Sequence, residues 1–128
     1  MHGRRLVIRA DGHGQSVALG EADDTLFVLQ HWSVMGYLQG SIEVHDADTL
    51  ERRLEVPFED DLEQFGIDAR GHFVVGLRVS TPGERKTTTR WRAWRTSDWQ
   101  PVELSSPPDA GRIRCVRLSA GRALPASR

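Results

Sequence analysis

Between Ile42 and Phe58 apolar and polar side chains alternate with a period of two, and no other feature restricts the fold of this chain as strongly. Ile42 and Val44 precede a break of Asp, Ala, Asp and Thr, and Leu54, Val56 and Phe58 follow it. Successive residues of a strand point to opposite faces, so this spacing predicts two half-buried strands joined around Asp48 and Thr49. The pattern returns further along. Ile42, Val44, His45 and Leu50 line up with Trp91, Ala93, Trp94 and Trp99 at a constant spacing of 49 residues, again beside a turn of Thr, Ser and Asp. A hairpin that recurs in this way reads as a unit copied in tandem.

The remaining segments fit the same class. Residues 5–10 read as a strand, 11–14 as a glycine turn and 15–19 as the return. After the acidic turn at 21–24, residues 25–32 are almost continuously apolar; a strand buried on both faces is expected, and a short helix is the competing reading. Residues 33–40 are open between a strand and a helical turn. Residues 59–63 are expected to be an acidic loop or a single helical turn leading into a strand at 65–67. Strands are expected at 73–79 and 86–94, with a strong turn at 80–84. Pro101 lacks the N–H of a ladder donor and confines 99–104 to a sheet edge. A loop at 105–109 and a last strand at 112–118 complete the chain. Three segments also share a short pattern before a glycine: Ile8-Arg9-Ala10-Asp11-Gly12-His13, Ile67-Asp68-Ala69-Arg70-Gly71-His72, and the shorter Leu118-Ser119-Ala120-Gly121-Arg122. No long segment holds a helical period, so the expected fold class is all-β.

An apolar strand that runs into an Asp/Thr-rich turn, followed by an apolar strand that ends at a turn glycine, resembles a repeat of the WD-type β-propeller family. His45 stands where that family usually has Trp, and Asp46 keeps its Asp; Trp94 occupies the Trp position, and Arg95 replaces the Asp. The resemblance implies antiparallel four-stranded blade-like sheets arranged as a partial β-propeller, and a non-catalytic role as a protein-interaction scaffold. The alternative fold is a small β-sandwich or barrel. The chain is expected to be a single all-β domain, with repeat-like units at 1–58 and 59–108 and an incomplete unit at 109–128. Because propeller rings hold about 4–8 blades, two blades and the start of a third imply completion by another chain or a longer parent protein. The strand at 113–118 is expected to pair with such a partner.

Composition narrows the chemistry. The net charge of −1 hides a division: residues 1–69 carry 5 Arg against 14 Asp and Glu, for −9, while residues 70–128 carry 12 Lys and Arg against 4 acids, for +8. Opposite charge on the two halves suits docking of one chain on the next, and hence a homo-oligomer. Cys115 is the sole cysteine, so no internal disulfide is expected, and it reads as a small strand residue. No apolar run reaches the roughly 18 residues of a membrane span and no signal-peptide pattern opens the chain, so a cytoplasmic location is expected. His2, His13, His31, His45 and His72 match no zinc spacing, the acids at 59–63 lack the order of a calcium loop, and there is no nucleophile elbow. No enzyme activity, cofactor or metal is expected.

The positions expected to meet a partner are Asp23, Asp60, Arg85, Lys86, Arg90, Arg92 and Asp109. The alternative function is a small β domain that binds nucleic acid or a specific protein through the segment 85–95, where cations alternate with Trp91 and Trp94. Packing of the arginine stems along indole surface uses the same residues without a ligand.

Overall fold

Turn chemistry sets the strand boundaries. In the computed structural model, which describes residues 16–34, 37–59, 61–80, 83 and 86–120, the strands are β1 (Ser16–Ala22), β2 (Thr25–Val34), β3 (Tyr37–Asp46), β4 (Arg52–Phe58), β5 (Asp61–Ile67), β6 (His72–Ser80), β7 (Thr87–Arg95), β8 (Pro101–Val102) and β9 (Val116–Ala120). A 3-10 helix spans Ala110–Arg112. The fold is all-β. Its antiparallel strands form one sheet in the order β4-β3-β2-β1-β9 and a second in the order β5-β6-β7-β8. Neither closes into a barrel among the described residues. The chain divides into two compact units, Met1–Glu59 with Val116–Arg128, and Asp60–Cys115.

In the first unit, Asp23 and Asp24 both hold left-handed backbone angles (φ 49° and 61°) between β1 and β2. Two such residues make the type I′ turn whose twist matches that of the flanking strands. The register that follows places Phe27 opposite Val44, Leu29 opposite Ile42, and Ile42 opposite Val56. These side chains share one face and, with Phe58, form the buried core of the sheet. Gly40 faces Phe58 directly; a methyl there would lie 2.5 Å from the ring, so glycine is what lets the phenyl fold over β3. The opposite face carries a polar chain. Gln30 donates to Glu43 at 3.0 Å, and buried His45 bridges Glu43 at 3.0 Å to the Leu50 carbonyl at 3.1 Å.

The second unit repeats the meander. Ile67, Phe65, Phe73, Val75, Leu77 and Trp94 share a buried face through the pairs Ile67 with Phe73, Phe65 with Val75 and Phe73 with Trp94. The β5–β6 turn is organised by Asp68, which is 2% exposed. Its Oδ1 accepts from the Arg70 and His72 backbone N–H groups at 2.9 and 2.8 Å, and Gly71 takes the left-handed position (φ 82°). Residues 110–114 run beside β5: Ile67 and Arg114 exchange backbone hydrogen bonds of 3.0 and 2.8 Å, and Gln64 donates to the Ala110 carbonyl at 2.9 Å. A methyl on Gly66 would meet the Arg114 carbonyl oxygen at 2.5 Å.

The two hairpins at the 49-residue spacing have the same turn. Asp46 N–H donates to the Glu51 carbonyl at 2.9 Å and Leu50 N–H to Asp46 at 2.8 Å; Arg95 N–H donates to Gln100 at 2.8 Å and Trp99 N–H to Arg95 at 2.6 Å. Leu50 and Trp99 close these turns with φ of 62° and 58°.

Several expectations are corrected. Asp61, Leu62 and Glu63 belong to β5 and not to an acidic loop, because Leu62 pairs with Leu77 while Asp61 lies across from Arg78, where opposite charges are favourable. The segment 25–32 is the strand expected of it, and β-structure continues on both sides of residues 35 and 36. The last strand does not start at Arg112, which ends the 3-10 helix. Within this chain β9 pairs with β1, with Gly20 opposite Arg117 and Glu21 opposite Val116, which covers the β1 edge and makes β9 the end strand of its sheet. Of the described residues in this segment, 109–115 group with the second unit and 116–120 with the first. Ile67 ends a strand before a turn, whereas Leu118 lies inside β9; the copy at Ile8 to His13 lies outside the described residues.

Candidate functional site

β7 brings together the residues the sequence singled out. Alternation along the strand puts Arg90, Arg92 and Trp94 on one face and Thr89, Trp91 and Ala93 on the other. Trp94 is buried against Phe73, with ring centroids 5.4 Å apart. Arg92 lies over Trp94, its guanidinium carbon 4.9 Å from the ring centroid, an arrangement in which the indole face attracts the cation. Trp91 is half-buried over Gly76, its partner in the ladder. Arg90 and Arg92 are exposed, and among the described residues neither has a carboxylate within ion-pair distance.

β8 pairs with β7 at two positions, Ala93 with Val102 and Trp94 with Pro101. Beyond Val102 the chain leaves the ladder. An open cleft of about 420 Å³ forms there, lined by Trp91, Arg92, Ala93 and Trp94 from β7 and by Pro101, Val102, Glu103 and Leu104. Residues from both faces of β7 line this cleft, which places it along the strand's edge. The other end of β8 is fixed by a paired turn: Arg95 Nε and Nη2 donate to Asp98 at 2.9 and 2.7 Å. That bidentate contact lowers the Asp98 pKa, with help from the Gln100 N–H, and raises that of Arg95. Arg95, at the equivalent of Asp46, is thereby occupied within the turn.

Of the other expected partner positions, Lys86, Asp23 and Asp109 are among the described residues. Lys86 is exposed just before β7. Asp23 belongs to the β1–β2 turn in the other unit. Asp109 caps the 3-10 helix, accepting from Gly111 N–H at 3.1 Å and lying 3.5 Å from Arg112. Asp60 and Arg85 lie outside the described residues. Pro101, Val102 and Leu104 were not anticipated as site residues. Pro101 signalled only an edge, and the place where a strand departs from its neighbour depends on packing that a local pattern does not carry.

A second cluster lies in the β5–β6 turn. Asp68 Oδ2 is buried without a hydrogen bond, 3.6 Å from Arg70 Nε and 3.9 Å from His72 Nδ1, itself buried and unbonded. Its sister oxygen holds the turn, so the carboxylate has a structural task already. Among the described residues no group of three His, Cys, Asp or Glu is placed to hold a metal ion, and no helix is long and apolar enough to cross a membrane. No family model, no curated protein and no solved structure matches this chain.

Proposed function

We propose that this chain is a non-catalytic protein-interaction module, built from tandem hairpin units of the WD-type propeller kind and acting in the cytoplasm. One observation carries the reading: the cleft along β7 joins indole surface from Trp91 and Trp94 to the exposed Arg92, which among the described residues has no carboxylate within ion-pair distance, with Glu103 lining the same cleft. Tryptophan and arginine are both enriched among the residues that dominate binding where proteins meet proteins. The shared turn geometry of residues 46–51 and 95–100 supports the tandem-unit part of the reading.

The test is selection from a displayed library of random peptides, with single-stranded oligonucleotides as the competing ligand. Peptides whose binding is lost on Arg92→Ala support the proposal. Salt-sensitive oligonucleotide binding lost with Arg90→Ala and Arg92→Ala, without peptide selection, replaces it with a nucleic-acid role. Sedimentation of the chain alone at micromolar concentration separates self-association from recognition of a different protein.

A further inference from the structure

Resting on that reading and specifying its partner, we infer that the outer edge of β7 accepts an extended peptide with alternating apolar and acidic residues as an added strand. The backbone supplies the first argument. Arg95 N–H points towards β8, since it donates to Gln100, and in an antiparallel strand alternate residues direct both polar groups to the same side. Ala93, Trp91, Thr89 and Thr87 therefore face the same way. Ala93 is paired with Val102. For Trp91, Thr89 and Thr87 no strand lies on that side among the described residues, so the ladder stops while its donors and acceptors continue. Unpaired edges of this kind are where extended peptides add.

The first unit shows what such an edge takes. At the 49-residue spacing, Trp91 corresponds to Ile42 and Thr89 to Gly40. There β4 occupies the place that is open beside β7: Val56 pairs with Ile42 and Phe58 with Gly40, with Leu54 opposite Val44. Apolar residues two apart thus fill the inner row, and Glu55 stands between them, opposite Glu43. The residue corresponding to Glu43 in the second unit is Arg92, and Arg90 corresponds to Ser41. Both arginines are exposed. A strand resembling β4 would place its acid directly across from Arg92, where opposite charges are favourable, and an apolar residue beside Trp91. Arg90 and Arg92 outweigh Glu103, which lines the same cleft, so charge and register together select an acidic partner over a basic one.

The probe is the capped peptide Ser-Leu-Glu-Val-Glu-Phe-Ser, compared with its Leu-Lys-Val-Lys-Phe counterpart and with a version N-methylated at Val. Binding is followed by tryptophan fluorescence and by amide exchange of the full chain. Expected results are binding of the acidic peptide at least tenfold tighter than of the basic one, loss of binding on N-methylation, and slowed exchange of the Thr89 and Trp91 amides. Arg92→Glu should reverse the charge preference. Thr89→Pro removes an outward N–H while sparing the ladder to β6, and it should weaken binding at least tenfold relative to Thr89→Val, the control that also loses the hydroxyl bond to Glu63 and so matches it in that contact. Equal binding of the two charge types, tolerance of N-methylation, or no binding at millimolar peptide would overturn the inference. If library peptides bind and Thr89→Pro leaves them untouched, the interaction role stands and the added strand falls. If the library yields nothing, the interaction role itself falls.

Discussion

Trp91 stands directly opposite Gly76 in the β6–β7 ladder, its indole so close that a methyl on the glycine would lie 2.9 Å from the ring. The same solution holds the first unit, where Phe58 covers Gly40. Gly76→Ala should therefore destabilise the protein by about 1–3 kcal/mol, the usual cost of overpacking. In a Trp91→Val background the cost should fall below about 1 kcal/mol, because the crowded partner is gone. Urea denaturation of the four proteins of this cycle measures the difference. Equal costs in both backgrounds would contradict the contact.

Leu50 and Trp99 hold matching left-handed angles in matching turns, and the Trp99 ring also packs against Phe73 with centroids 6.1 Å apart. Leu50→Gly should stabilise the protein by about 0.5–1 kcal/mol, since relief of the left-handed strain outweighs the entropy of glycine. Trp99→Gly should destabilise it, because the lost aromatic contact exceeds the same relief. Thermal melts of the two variants should move in opposite directions.

Asp46 and Asp98 do the same job in different ways. The Thr49 and Asp48 backbone N–H groups, at 2.8 Å each, lower the Asp46 pKa; the Arg95 side chain lowers that of Asp98. A carboxylate with a depressed folded value adds stability above its unfolded value and loses that stability as pH falls through the folded one. Asp46→Asn and Asp98→Asn should thus melt earlier than the parent at neutral pH. The gap should close as the solution is acidified below the ordinary carboxylate range. Melting temperatures across that range decide it; a gap that widens in acid would refute the assignment.

Asp68 is buried and accepts from two backbone N–H groups. Its replacement by Ala leaves those donors without their acceptor and should cost about 2–4 kcal/mol. Asp68→Asn keeps an acceptor oxygen for both and should cost about half as much. Denaturant midpoints rank the three proteins, and accelerated exchange of the Arg70 and His72 amides should accompany the loss.

The hairpins were legible because their information is local. Ile42, Val44, Leu54, Val56 and Phe58 carry a period-two pattern whose inner row became the core, and the 49-residue spacing located a second turn with the same hydrogen bonds as the first. The acids at 61 and 63 misled because charge reads as loop, whereas an exposed strand face carries charge without penalty; Leu62 across from Leu77 held the strand. At the site, the Arg and Trp residues of β7 could be named from composition. The cleft beside them could not, since it arises where residues 103–109 leave the sheet.

What this chain's letters determine alone is its all-β class and the two hairpins that turn at residues 46–51 and 95–100, because backbone angles and face alternation are set within a few residues. Only the tertiary structure decided which edges are covered. β9 reaches back to β1, Arg114 crosses to Ile67 beside Gly66, and β8 stops after Val102, leaving the rest of that β7 edge without a strand among the described residues. Strand pairing joins residues distant in sequence, and its outcome depends on competition among all the edges present, which no single segment records.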